Sequence, residues 1–390
     1  MDERHASPEL QRKFTETAAR VKSFAAAAAI AELWSEQPVC PRTVARIAEE
    51  VGRELVAERD ALVDDFTHHR RHAEGGDPKH DLAAVFVDGG RVQLRDEGQG
   101  PGVHGERWAE DKIARLQTMA SATHAVDPCP ELPRCYRGPI LHGPVSPENS
   151  SEFVDWLERP APAEEPARWQ PTPRIRTCVA TMEPLEGFRW MVQAEAKRRQ
   201  FFTAQKRAFV ADGSAGNWTL QQRHFPDFVP ILDFVHAAEY LHAASKAIAS
   251  PTQGLEWTQA LWQGRGADII AELRTALDTR GIGEETLDDQ HEWHDLQRAW
   301  VYLSNASDKL DYPRYRCQGL PTTSSLIESQ VKEFNGRLKG SEKFWHGSNA
   351  EAMLELVSRT LGEDGPTLAD YFATRPTSPF RRRDSMATAA

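Results

Sequence analysis

Two short apolar runs that end in Asp-Gly limit what this chain can fold into more than any other feature: Ala83-Ala84-Val85-Phe86-Val87-Asp88-Gly89 and Ala208-Phe209-Val210-Ala211-Asp212-Gly213. Apolar runs of this length bounded by glycine read as buried strands. Each aspartate is then expected where a central strand emerges from the core, with the glycine letting the backbone turn away. A third acid, Glu328, follows far downstream in Ser325-Leu326-Ile327-Glu328. The three can meet only through the fold. A mixed sheet flanked by helices sets the ends of two parallel strands side by side, and a later helix lays its carboxylate against them. Carboxylates about 4 Å apart repel by roughly 4 kcal/mol at an effective dielectric near 20. Divalent cations cancel that repulsion, so the pattern points to metal-assisted phosphoryl transfer.

Taken singly, each acid has a simpler explanation. Asp-Gly after a strand is common turn chemistry. With Ser325 as N-cap, Glu328 stands at the third helical position and completes a capping box that needs no metal. The helix it begins has a dry face of Ile327, Val331, Phe334 and Leu338, leaving Ser324, Glu328, Lys332 and Asn335 on or near the wet one. A metal ligand has to lie on the wet face, so the two roles are compatible.

A chain of 390 residues is long enough for two or three domains. Its formal net charge of -11 argues against bulk attraction to nucleic acid. Screening over about 8 Å at physiological salt makes local basic patches matter more than the total. Lys197, Arg198, Arg199, Lys206 and Arg207 precede the second aspartate, Lys332, Arg337, Lys339 and Lys343 surround and follow the glutamate, and Arg381 to Arg383 lie in the tail. Any one of these patches is also readable as a solvated face. The five cysteines, Cys40, Cys129, Cys135, Cys178 and Cys317, are scattered and form no Cys-x-x-Cys, which indicates reduced thiols rather than a disulfide framework or zinc module. The longest apolar stretch, Phe24 to Ala31, is far below a membrane span, and no basic, apolar leader opens the chain. A cytoplasmic location without membrane association is expected.

Residues 7 to 72 read as wholly helical. Ser7-Pro8 is an N-cap and first-turn pair. Phe24 to Trp34 and Pro41 to Val51 read as two helices about a turn, the second with Val44, Ile47, Ala48 and Val51 at core spacing. That is the outline of a helix-turn-helix, whose second helix would offer Arg42, Thr43 and Arg46 to a major groove. A plain packing hairpin has the same outline. After the breakers Gly75-Gly76-Asp77-Pro78, strands are expected at Asp88, at Arg91 to Arg95 as its hairpin partner, at Lys112 to Ser121 and at Arg174 to Met182. The Pro- and acid-rich stretch from about Pro128 to Pro173 reads as an irregular excursion. A helix over Glu183 to Gln205, the Asp212 strand, a strand over Phe228 to Asp233 and a helix over His236 to Ala249 follow. Residues 251 to 312 carry helical spacing only. His68, His69 and His72, with Arg70 and Arg71 beside them, read as a solvated helix end, His291 and His294 as surface, and the tryptophans as core.

Four blocks together resemble the DDE transposases of bacterial insertion sequences, over about Ser7 to Leu356 and in the same order. They are Phe86-Val-Asp-Gly-Gly-Arg-Val, Ala211-Asp-Gly-Ser-Ala-Gly-Asn-Trp218, His224-Phe-Pro with Ile231-Leu-Asp-Phe-Val-His-Ala-Ala-Glu-Tyr-Leu241, and Gly319-Leu-Pro with Ser-Leu-Ile-Glu-Ser-Gln-Val-Lys, Arg-Leu-Lys-Gly340 and Trp345. The resemblance implies an RNase H-like α/β fold, a mixed sheet flanked by helices. It implies that Asp88, Asp212 and Glu328 bind two Mg²⁺ or Mn²⁺ ions and cut and join DNA strands at element ends. Asp233 and His236 resemble an Asp-x-x-His signature that supports such sites or their DNA. Lys332, Arg337 and Lys339 join Arg42, Thr43 and Arg46 as expected DNA contacts. Implied partners are double-stranded DNA, as terminal inverted repeats and target, and further copies of the chain on that DNA, in a bacterial cytoplasm at the nucleoid.

The expected layout is a helix-turn-helix region at 1–75, a catalytic core at 76–236, a helical insertion at 237–312, the Glu-bearing end of the core at 313–360 and a disordered tail at 361–390. Two positions depart from the family pattern: Ser324-Ser325 stands where relatives tend to show Ser-Gly, and Cys40 where Ser or Thr is usual. Alternatives are a decayed or repurposed DNA-binding protein and an RNase H-like nuclease without strand transfer.

Overall fold

The computed structural model describes residues 6–69, 80–95, 107–137, 169–340 and 343–375. Five strands form one mixed sheet: β1 (Leu82–Leu94), β2 (Arg107–Ala120), β3 (Thr172–Thr181), β4 (Lys206–Ala211) and β5 (Val229–Leu232). Their order is β3-β2-β1-β4-β5. The pairs β1–β2 and β2–β3 are antiparallel, whereas β1–β4 and β4–β5 are parallel. Leu82 to Phe86 and Ala208 to Ala211 are fully buried, as uninterrupted apolar runs must be when helices cover both faces of a parallel pair.

Helices α1 (Pro8–Arg20), α2 (Phe24–Ser35) and α3 (Pro41–Thr67) precede the sheet, and α4 (Leu185–Arg198) and α5 (Ala215–His224) flank β4 in the chain. After β5 come α6 (Phe234–Ala247), α7 (Pro251–Trp262), α8 (Gly266–Asp278) and α9 (His294–Asn305). The chain continues through α10 (Tyr312–Cys317), α11 (Ser325–Leu338), α12 (Gly347–Leu361) and α13 (Leu368–Thr374). Between β5 and α10 the described secondary structure is helical, in line with the spacing read there. None of the described helices is long and apolar enough to cross a membrane.

Several expectations change. Arg91 to Arg95 is not a hairpin partner of the Asp88 strand, because β1 runs straight through Asp88-Gly89-Gly90 to Leu94 and pairs with β2 along its whole length. The turn propensity of Asp-Gly is overridden by the β2 ladder, which holds Asp88 opposite Ile113 and Gly90 opposite Asp111. Gly90 has a packing reason: a Cβ there would stand 2.8 Å from Asp111 Oδ1.

The N-terminal helices do not form a core of their own. Val44, Ile47, Ala48 and Val51 are fully buried as read, but α3 continues for 27 residues and lies along α12. The two approach so closely at Gly52 that a Cβ would overlap the Ala352 carbonyl. Phe14 and Val51 belong to the same continuous core as the sheet residues Val85 and Phe209.

The expected disordered tail is corrected over 361–375. Thr367 and Asp370 form a capping box that starts α13, and Arg375 closes the segment with bonds to Glu54 (2.6 Å) and Gln11 (2.8 Å). Gly75 to Pro78, the acid- and Pro-rich 160–166, Arg70, Arg71, His72 and Arg381 to Arg383 lie outside the described residues.

Candidate active site

Sheet register builds the site. Val87 of β1 pairs with Ala211 of β4, and Ala211 pairs with Leu232 of β5. The next residue on each of these three parallel strands is an aspartate: Asp88, Asp212 and Asp233. Three acids therefore stand in one row: Asp88 where β1 leaves its parallel pairing with β4 and runs on beside β2, and Asp212 and Asp233 directly after the carboxyl ends of β4 and β5, the edge where open α/β sheets place their ligands. The Asp88–Asp212 pairing follows from the two apolar runs. Asp233 follows the strand read over Phe228 to Asp233, observed as Val229–Leu232; what the sequence left open was that this strand lies beside β4 and so brings Asp233 into the same row.

Asp88 is half-buried, and its Oδ1 accepts the Gly89 N–H at 2.7 Å. Burial pushes its carboxyl above the ordinary range and the charges of Asp212 and Glu328 add to this, while the Gly89 amide and His236 oppose it. The four groups thus share one electrostatic neighbourhood. Asp212 Oδ1 accepts the Ser214 N–H at 3.1 Å and the Asn217 side-chain amide at 2.8 Å, which fixes the carboxylate at the entry to α5.

Asp233 is fully buried and committed on both oxygens. Oδ1 accepts the Ser324 N–H at 2.7 Å, while Oδ2 accepts the His236 N–H at 3.0 Å and faces His236 Nδ1 at 2.5 Å. It therefore caps α6, holds the imidazole and ties down the chain entering α11. Burial opposes charge on both partners. The bond between them outweighs it, lowering the Asp233 carboxyl and raising His236 to about 9, with Asp212 and Asp88 contributing to the latter.

The Glu328 helix begins one residue earlier than its sequence suggests. Ser324 is the N-cap, so Glu328 is the fourth helical residue and no capping box forms. Because Asp233 takes the Ser324 amide, Ser324 is pinned and its Oγ lies 3.4 Å from Glu328 Oε1. The carboxylate is left half-buried on the wet side, while Ile327, Val331, Phe334 and Leu338 are buried as expected. Arg115 donates to the Leu326 carbonyl at 3.0 Å and so fastens α11 to β2.

Among the described residues, one group of three His, Cys, Asp or Glu side chains has ligand atoms all within 4.8 Å of each other: Asp233, His236 and Glu328. Asp88 and Asp212 lie on the same edge without joining that tighter set. Asp233 is a poor direct ligand, since coordinating would mean giving up the Ser324 or His236 bond in a fully buried place. Holding His236 for the site suits it better, as a carboxylate behind a histidine commonly does.

Two further residues at this edge have no local signal in the sequence. Tyr302 of α9 packs its ring where a Cβ of Gly213 would stand, so this glycine answers to close approach as well as to the strand end. Asp111 of β2 is buried beside Gly90 with Oδ1 unpaired, and burial, Asp88 and Glu110 raise its carboxyl against the pull of Lys339.

The expected DNA contacts separate into two groups. Arg42, Arg46 and Lys332 are exposed, and Thr43 and Lys339 are half-buried. Arg337 is corrected: it is 3% exposed, donates to the Ala18 carbonyl at 2.6 Å and lies over the rings of Phe24 and Trp345. It fastens α11 to the N-terminal helices and is not presented to a partner. Lys343 caps α11 through the Gly336 and Arg337 carbonyls, and Arg199 is buried against the Leu116, Thr177 and Ile175 oxygens.

A scan against protein-family models and a search of curated proteins find no match to this chain.

Proposed function

We propose that this protein is a DNA strand-cleaving and strand-joining enzyme of the DDE transposase type, with Asp88, Asp212 and Glu328 as its catalytic acids. Support comes above all from the register that sets Asp88 and Asp212 side by side where the parallel pairing of β1 with β4 ends, with Glu328 close enough to act on Asp88 electrostatically. The strand order and directions, three antiparallel strands continued by two parallel ones, agree with an RNase H-like core. The helical segment after β5 agrees with an insertion between the second aspartate and the glutamate.

The acids fit divalent cations. Asp88 accepts one internal bond on Oδ1 and Asp212 takes both of its bonds on Oδ1, which leaves oxygen lone pairs facing a shared edge. Two Mg²⁺ or Mn²⁺ ions held by Asp88, Asp212 and Glu328 would activate a water or 3′-hydroxyl and stabilise the leaving oxygen. The chain's own contribution is placement. β1 and β4 fix two carboxylates on the paired central strands of the sheet, Asp233 fixes the start of the Glu328 helix, and His236, charged at neutral pH, offsets carboxylate repulsion. Exposed Arg42, Arg46 and Lys332 are the contacts proposed for DNA backbone or groove.

The test is incubation of the full chain with DNA carrying the sequences that flank its coding region, in Mg²⁺ or Mn²⁺. Joined strands support a transposase, cleavage without joining a nuclease, and a gel shift alone a DNA-binding protein. Asp88→Asn should remove cleavage and leave the shift. Cleavage that survives this change takes Asp88 out of the site.

A further inference from the structure

Past Asp88, β1 and β2 run on together as a two-stranded ribbon whose faces differ. On the face that carries Asp88, Val92, Leu94 and Asp111 are buried. The other face is open to water. Arg91, Arg95, Trp108 and Glu110 are exposed there, and Gln93 and Lys112 are half-buried. Gly89, exposed directly after Asp88, joins this wet face to the acid row.

An antiparallel ribbon with one wet face alternates apolar-in and polar-out, and Trp108 breaks that rule. At 48% it is the most exposed aromatic side chain among the described residues. Trp34, at 39%, has Phe14 and Lys13 against its ring, and no such contact holds Trp108 among the described residues. The register surrounds it with cations. Trp108 pairs with Gln93, so Arg91 and Arg95 are its diagonal neighbours, about 7 Å away between Cβ atoms and within reach of a long side chain. The acid on this face, Glu110, is taken by Lys112 at 3.4 Å. Arg91 and Arg95 have no ion-pair partner among the described residues. In a chain of net charge -11, this is a cationic surface around a bare indole.

We propose that the wet face of the ribbon holds an unpaired DNA strand leaving the acid edge, with a base stacked on Trp108 and phosphates on Arg91 and Arg95. This rests on the DNA chemistry proposed above and adds the form of DNA bound beside it. Single strands are held by such a combination, because every base has a face to stack and every phosphate a charge to pair. A duplex keeps its base faces against one another and has none to offer the ring. Trp108 lies five residues along β2 from Ile113, the partner of Asp88, or about 17 Å at 3.4 Å per residue. A strand freed at the acid row for about five stacked nucleotides reaches it.

The test measures fluorescence anisotropy of a labelled random-sequence oligonucleotide, single-stranded or annealed to its complement, with the full chain in EDTA so that nothing is cut. Trp108→Ala should weaken single-strand binding about fivefold or more, as loss of one stacked base does, and leave duplex binding unchanged. Trp108→Tyr keeps a ring and should restore most of the affinity, which separates stacking from damage to the fold. Arg91→Ala should lower the salt slope for the single strand by about 0.7. Unchanged single-strand affinity in Trp108→Ala, or an equal loss on both forms of DNA, overturns the proposal and leaves the enzymatic function to the cleavage assay. Native DNA affinity with altered sedimentation in Trp108→Ala assigns the face to contacts between copies of the chain and overturns it too. Trp108-dependent binding in a protein that never cleaves DNA keeps this contact and removes strand cutting.

Discussion

Replacing Asp233 by asparagine should damage the acid edge from within. In the native protein one fully buried carboxylate receives the Ser324 amide, the His236 amide and His236 Nδ1. Asparagine has the same shape but only one acceptor oxygen. With that oxygen kept for Ser324, the new NH₂ faces two donors, the backbone N–H and the imidazolium Nδ1–H. Hydrogen bonds to a charged group are worth about 1.5–3 kcal/mol each, and leaving buried donors unpaired costs a similar amount. Losing two such bonds while retaining the third gives a destabilisation of roughly 3–6 kcal/mol, comparable with breaking a buried ion pair. Urea unfolding followed by tryptophan fluorescence measures this as a lower midpoint at unchanged slope. A second effect separates the pair from general damage. His236 is held at about 9 largely through Asp233, so its stabilising effect is complete below about 6.5 and fades as pH rises through 9. In Asp233→Asn the imidazole should titrate well below 9 by NMR, and the fall of stability over that window should vanish. An unchanged urea midpoint together with an unchanged titration would refute the reasoning.

Glu355 of α12 offers an independent pH test. Burial raises it to about 7 despite Arg59, whose Nη1 serves Glu351 at 2.8 Å and Glu355 at 3.6 Å. The folded state then binds one proton more than the unfolded chain between about 4.5 and 7, so stability falls as pH rises across that window, by on the order of 3 kcal/mol. Glu355→Gln should flatten that slope in urea titrations at several pH values; an equally steep slope assigns it to other groups. Arg337→Ala should cost roughly 2–4 kcal/mol through lost ring contacts and the Ala18 bond, and leave the salt dependence of DNA binding unchanged. Arg42→Ala or Arg46→Ala should do the opposite, each lowering the salt slope by about one with little change in unfolding midpoint.

What the sequence made legible was whatever depends on unbroken local pattern. The runs before Asp88 and Asp212 are central strands because nothing but a doubly covered sheet absorbs such apolar continuity. The dry faces of α3 and α11 follow from spacing alone. Features set by distant neighbours were hidden. Asp88-Gly89-Gly90 carries turn propensity, but the β2 ladder keeps it extended. Arg337 looks like a surface cation until Phe24 and Trp345 close over it. Ser325 is a plausible N-cap, and only the bond from Ser324 to Asp233 moves the helix start. Tyr302 is unremarkable in a tryptophan-rich helical stretch, and its close packing on Gly213 appears only in the fold.

The central claim is that Asp88, Asp212 and Glu328 hold divalent cations together. Titration of Mn²⁺ into the full chain, with the free ion followed by electron paramagnetic resonance, tests it without any DNA. Saturable binding is predicted for the native protein, strongly weakened in Asp88→Asn, Asp212→Asn and Glu328→Gln alike and retained in Glu363→Gln, a surface control. Equal Mn²⁺ binding by all of these proteins, or none by the native one, would contradict the claim.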